Sequence, residues 1–234
     1  MSRRRQDRAQ TGSFRAPLQP RTEAQRSLIR AITTCEQVIT IGPAGTGKTY
    51  VPAVMAADLL SSHLIRRIVL TRPNVEAGRP IGFRPGTMEE KMAEWFAEIL
   101  RVLSDRLGRG QVEGMLGSKI ELVPFETMRG RTFDDAFVIL DEAQNTTASE
   151  MLMFLTRIGE NSRVVVNGDL EQSDLRGTSG LATVVRMVRN QELPVQIIEF
   201  TEADIVRSGW VRMWIEAFRK EEHGAISLHL HRAG

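Results

Sequence analysis

The chain has 234 residues, 41% of them hydrophobic and 26% charged, the balance of an ordinary water-soluble globular protein with one core or two small ones. No apolar run approaches the roughly 18–20 residues of a membrane span, and Cys35, the only cysteine, excludes an intrachain disulfide and fits a reducing compartment. The formal net charge is +2, but six arginines against Asp7 put +5 into residues 1–21 and leave about −3 for the rest.

Residues 1–20 therefore read as a basic, disordered arm. Arg3, Arg4 and Arg5 have no apolar segment behind them, which excludes a secretory signal. Two readings of the arm stand: a segment that tracks phosphates, and a plain soluble leader. Residues 21–221 are expected to form one domain and 222–234 a flexible tail. His63, His223, His229 and His231 are too scattered for a zinc site.

Periodicity begins at Arg21, where Thr22 is placed to cap a helix with Leu28, Ile29 and Ile32 on its inner face. An apolar strand, Val38–Ile41, then runs into Gly42-Pro43-Ala44-Gly45-Thr46-Gly47-Lys48-Thr49 and a helix that continues from Val51 to Ser61. These eight residues fit G-x-x-x-x-G-K-[ST], the loop that cradles nucleotide phosphates. Gly42, Gly45 and Gly47 sit where a side chain would keep the backbone N–H groups from the anion. Lys48 brings a charge to the β- and γ-phosphates, and Thr49 a hydroxyl to Mg²⁺. The following helix aims its positive end at the same anion. The whole stretch from Gly42 to Tyr50 is expected to contact nucleotide.

A buried strand, Arg67–Thr71, leads to Arg72 and a loop through Gly86 carrying three prolines, three glycines and three arginines, too long for a mere connector. Thr87 to Leu107 predicts one long helix, with Thr87 and Glu90 as a capping box. Its inner stripe is Met88, Met92, Trp95, Phe96, Ile99, Leu103 and Leu107. Lys119–Pro124 reads as the next strand. Ala136–Leu140 is an unbroken apolar run ending in Asp141 and Glu142, the pattern of a buried parallel strand that delivers carboxylates to its edge. Asp141 is expected to hold Mg²⁺, and Glu142 to polarise the attacking water. A strand Arg163–Asn167 brings Gln172 to a tip from which it would sense the γ-phosphate. Val195–Phe200 is the last strand, followed by a terminal helix with Trp210, Val211, Trp214, Ile215 and Phe218 toward the core. Six strands alternating with helices predict a three-layer α/β fold with a mostly parallel sheet.

Gly42–Thr49, Arg72–Gly78, Met128–Thr132, Val138–Thr147, Met153–Gly159, Gly168–Leu175 and Ser179–Leu181 resemble the successive blocks of the PhoH family. From about Arg21 to Lys220 the chain is also similar to the first motor domain of superfamily 1 helicases. The resemblance implies a P-loop, RecA-like core that binds ATP with Mg²⁺, ATPase activity, and work on RNA or DNA in a bacterial or phage-infected cytoplasm. It also implies that Gln25 reads adenine, as a glutamine upstream of the loop does in helicase-like ATPases. Arg79, Arg84, Arg176 and Ser208-Gly209 depart from the family's usual residues, and the ribonuclease-like PIN domain found fused to some relatives is not expected within these residues. Superfamily 1 motors finish their site with an arginine from a second domain, which this length leaves no room for. The expectation is a homo-oligomeric ring, hexameric by resemblance, in which Arg129, Arg131 or Arg207 serves the neighbour's γ-phosphate. The runner-up is a non-translocating ATPase switch acting on a protein partner. A small-molecule kinase is a weaker third reading, because the Asp141-Glu142 pair suits attack by water.

Overall fold

Near-continuous burial along short apolar runs gives a sheet with two buried faces. The structure, a computed structural model, describes residues 16–73, 88–175 and 177–206, and beyond them residues 210, 213, 214 and 217. The strands are β1 (Gln37–Ile41), β2 (Arg67–Thr71), β3 (Ile120–Leu122), β4 (Ala136–Leu140), β5 (Arg163–Gly168) and β6 (Gln196–Glu199). They pair in the order β3-β2-β4-β5-β1-β6, and each pairing is parallel. The sheet is thus wholly parallel, where the sequence predicts a mostly parallel one. Residues of one parity, Val38, Ile68, Leu70, Ile139 and Val165, pack under α1 (Glu23–Thr34), α2 (Tyr50–Ser61) and α4 (Ala97–Leu107). The other parity, Ile39, Ile41, Val69, Val138 and Val166, packs under α6 (Ala148–Leu155) and α7 (Gly180–Gln191). The result is a three-layer α/β fold.

Central position follows from composition. All five residues of β4 are buried, as a strand covered by helices on both faces requires. Because β5 lies between β1 and β4, the C-terminal ends of those two strands stand two strand spacings apart, roughly 10 Å. Ligands of open α/β sheets bind at that edge, where the strand order reverses.

Several expectations need correction. The long helix divides into α3 (Met88–Trp95) and α4, because Phe96 leaves helical geometry (φ −101°, ψ 12°). Arg72 reaches the Trp95 carbonyl at that break. Met92, Phe96, Ile99, Leu103 and Leu107 are buried as the stripe requires. An unexpected α5 (Arg109–Met115) follows Gly108; it buries only Val112, so it leaves no periodic signal. The packed body also begins earlier than Arg21: Leu18 lies against the core and the Ala16 carbonyl accepts a hydrogen bond from Arg106. Trp210 and Trp214 do not face the core; they are 72% and 60% exposed. A stripe at helical spacing shows only that one face is apolar, not what covers it. Val211, Ile215 and Phe218, the Thr87 capping box, Arg79, Arg84, Arg176, Arg207, Ser208-Gly209 and residues 1–15 and 222–234 lie outside the described residues.

Candidate functional site

The phosphate loop leaves β1 through Gly42 (φ 137°) and turns through Gly45 (φ 84°) and Gly47 (φ 87°). Two of these glycines are required by the protein itself. A Cβ on Gly42 would stand 2.2 Å from the Phe200 carbonyl oxygen, and one on Gly47 would stand 2.7 Å from the Gln25 side-chain nitrogen. The loop is therefore clasped on two sides. Gly42 N–H donates to the Gly168 carbonyl at the tip of β5, and Val206 N–H donates to the Gly45 carbonyl. Within the loop, the Thr46 hydroxyl and the Lys48 ammonium both donate to the Pro43 carbonyl, at 3.0 and 3.1 Å.

Gln25 belongs to this loop although it lies on α1. It is buried, its Nε2 donates to the Thr46 carbonyl at 2.9 Å, and its Oε1 accepts from the Arg21 N–H at 2.9 Å. A side-chain amide has two donor hydrogens and two acceptor lone pairs. One of each is used, so one of each is left.

Thr49 stands at the N-cap of α2, yet its side chain caps nothing there. Its hydroxyl instead donates to Asp141 Oδ1 at 3.2 Å, which closes the gap between the β1 and β4 ends. Burial first, and then the neighbouring Glu142 charge, hold the Asp141 carboxyl above the usual carboxylate range. Arg72, the Thr49 hydrogen bond and Lys48 oppose that rise. An oxygen-rich corner with a hydroxyl and a carboxylate suits Mg²⁺, which takes few protein ligands and keeps its waters. Among the described residues no group of three or more His, Cys, Asp or Glu side chains could hold a metal by itself.

Glu142 adopts the left-handed conformation (φ 55°, ψ 36°), a strain of about 1–3 kcal/mol for a residue with a side chain. Hydrogen bonds on both sides maintain it. Asp141 N–H pairs with the Thr71 carbonyl, and the Glu142 carbonyl accepts from Asn145 N–H. Gln144, 3% exposed, donates its Nε2 to Glu142 Oε2 at 2.6 Å and accepts from Asp169 N–H through Oε1 at 3.1 Å. It ties the carboxylate to the tip of β5. That tip carries Gln172, whose N–H donates to the Asp169 carbonyl.

Gln25, Gly45, Lys48, Thr49, Asp141, Glu142 and Gln172 line one cavity of about 700 Å³. Of the stretch expected to contact nucleotide, Ala44, Gly47 and Tyr50 join them, while Gly42, Pro43 and Thr46 are not among the lining residues. Arg129 and Arg131 are not among the lining residues. Arg131 pairs with Glu121, which it shares with Arg67, and lies over the Phe133 ring at 5.0 Å. Arg129 is exposed. Ala16–Gln19, Arg106 and Val206 also line the cavity but carry no mark in the sequence. Arg106 meets partners 48 and 90 residues away, a distance at which no motif spacing operates.

Residues 17–219 match the family described as "PhoH-like protein". Among curated relatives, the "PhoH-like protein" of Bacillus subtilis (strain 168) is 44% identical over 204 residues, covering 86% of this chain and 64% of the relative. "Protein PhoH" of Escherichia coli (strain K12) is 43% identical over 208 residues, covering 87% and 58%. The chain therefore spans about three fifths of the length of these relatives. Among solved structures, the Pif1 helicase from Candida albicans aligns over 77% of this chain and 40% of its own at 14% identity, with a TM-score of 0.39. Bacteroides sp. Pif1 in complex with ADP-AlF4 aligns over 77% and 41% at 17% identity, with a TM-score of 0.34.

Proposed function

This chain belongs to the PhoH-like protein family, and on that premise we propose that it is a Mg²⁺-dependent ATPase whose hydrolysis is coupled to RNA or single-stranded DNA. The observation that carries the reading is the 3.2 Å contact between Thr49 and Asp141 with Glu142 and Gln172 on the same cavity. That constellation is built for attack by water on a terminal phosphate rather than for nucleotide storage.

In this reading the loop N–H groups and the start of α2 bind the phosphates. Lys48 exchanges the Pro43 carbonyl for the β- and γ-phosphate oxygens. Thr49 and Asp141 would hold Mg²⁺, whose positive charge would offset the negative charge on the phosphate oxygens. Glu142, aimed by Gln144, takes the proton of the attacking water. Gln172 reports the γ-phosphate to β5. The donor and acceptor left on Gln25 match the amino group and N7 of adenine, the pair that a side-chain amide recognises. Gln25→Leu is expected to bring the affinities for ATP and GTP within about twofold of each other by removing that discrimination. An unchanged preference for ATP would remove Gln25 from the base site.

The coupling to a polymer is supported by position. Arg72 follows β2 and Arg129 follows β3, so both leave the sheet by the edge that carries the nucleotide cavity. We place the protein in the cytoplasm as a homo-oligomeric ring, in which Arg129 is favoured over Arg131 as the arginine given to a neighbour. Arg131 is already engaged by Glu121, while Arg129 is exposed and clear of its own cavity. Arg207 lies outside the described residues and keeps its candidacy. No helix among the described residues is long and apolar enough to cross a membrane.

One experiment tests the whole reading: ATPase rate against RNA, single-stranded DNA and duplex, with mass measured in the same buffer. Stimulation by a single strand that fades at high salt is expected. Hydrolysis indifferent to all three polymers would leave a protein-directed switch as the better account. A monomer that turns over rapidly would end the ring.

A further inference from the structure

One wall of the cavity is made by a segment that precedes every regular element of the described residues. Ala16, Pro17, Leu18 and Gln19 line it together with the phosphate loop, and little of their own holds them there, since three of the four are exposed. Two anchors do. Leu18 packs against the hydrophobic core, and the Ala16 carbonyl accepts from Arg106 Nη1 at 2.7 Å. Arg106, on α4, is itself set by α2: Nε and Nη2 grip the two oxygens of Asp58 at 2.6 and 2.7 Å. Its side chain is only 18% exposed. A planar guanidinium can hold a carboxylate with one edge and a carbonyl with the other, and an ammonium cannot reproduce that fork.

The wall stands where the rest of a nucleotide would lie. The phosphates belong to Gly42–Thr49, and Gln25 marks the direction in which the molecule extends. Tyr50, 51% exposed, lines the same end within electrostatic reach of the Arg106 guanidinium. A triphosphate without a base would not touch this end of the cavity.

We propose that Arg106 is a positioning residue for base recognition: by bridging Asp58 to the Ala16 carbonyl it holds Ala16–Gln19 as the wall against which the nucleoside packs. This rests on the nucleotide-binding reading above and assigns its selectivity to a clamp outside the phosphate loop. Arg106 acts through the wall and touches no phosphate. The affinity that it controls is the part a nucleoside adds to a bare triphosphate chain.

The test measures binding of ATP and of inorganic tripolyphosphate, each with Mg²⁺, to the full chain by calorimetry. The wild type is expected to bind ATP more tightly than tripolyphosphate. Arg106→Met is expected to lose ATP affinity by about five- to tenfold, the net worth of one ordinary hydrogen bond, with tripolyphosphate affinity unchanged. That second ligand also reports that the phosphate loop is folded. Leu18→Ser, which frees the same segment at its other anchor, is expected to produce the same selective loss. The double variant should lose little more than the larger single loss, because both act on one wall. An equal loss for both ligands would make Arg106 a merely structural residue and overturn the proposal, as would no loss for either. A wild type that binds the two ligands equally would overturn the wall while leaving the phosphate site intact. One that binds neither would overturn the nucleotide reading itself, and the wall with it.

Discussion

Glu142→Gln is expected to leave ATP bound while lowering its turnover by about 10²–10⁴, the contribution of a positioned general base. The substitution is nearly isosteric. It leaves the backbone pairing of Asp141 with Thr71 and of Asn145 with Glu142 untouched, so the left-handed turn survives. What it removes is the proton acceptor. Its amide would meet Gln144 Nε2, donor to donor, unless it turns its own oxygen toward that group. It also removes the neighbouring charge that, after burial, raises the Asp141 carboxyl. Asp141 should therefore ionise more readily, and Mg²⁺-dependent ATP affinity should be equal to that of the wild type or better. Single-turnover hydrolysis and equilibrium binding, measured side by side, separate the two effects. Normal hydrolysis by Glu142→Gln would strip Glu142 of its assigned role.

Lys48→Ala is expected to lower ATP affinity by about 10²-fold, the loss of charge-assisted hydrogen bonds to the phosphates in a partly buried site. The fold has little reason to change. Lys48 donates to the Pro43 carbonyl at 3.1 Å, but Thr46 donates to the same oxygen. The loop is also clasped by Gln25, Gly168 and Val206. Calorimetric titration with ATP checks the affinity, and thermal unfolding without ligand checks the scaffold. If affinity falls by less than about threefold, Lys48 does not meet the phosphates, since one charged contact is worth more than that.

The legible parts of this protein are those whose physics acts over short sequence distances. A strand buried on both faces must be a run of apolar residues, so β4 and its terminal Asp141-Glu142 could be read directly. A phosphate cradle needs glycines at set spacing, so Gly42–Thr49 could be read too. Elements held together by distant partners were harder. The division of the long helix at Phe96 is accompanied by an Arg72 side chain 23 residues earlier reaching the Trp95 carbonyl. Helix α5 has a single buried residue and two internal glycines, so periodicity had nothing to register. Trp210 and Trp214 showed an apolar face, and the error lay in assigning it to this chain's own core.

By itself, then, the sequence determined which groups exist and in what local order: a glycine cradle with Lys48 and Thr49, a pair of carboxylates at a buried strand's end, and a glutamine after the next strand. Local order suffices there because backbone conformation and strand burial respond to neighbours a few residues away. Only the tertiary structure decided that Thr49 turns from its helix to Asp141, and that Gln144 ties Glu142 to β5. It also decided that Gly42 must be glycine because Phe200 lies against it, and that Ala16–Gln19 stand as a wall of the cavity. Those contacts join groups far apart along the chain, brought together at the sheet edge where β1 lies beside β5 and β6 and, at the wall, through Arg106. Crossover connections put partners tens of residues apart at one edge, where spacing along the chain carries no information about distance in space.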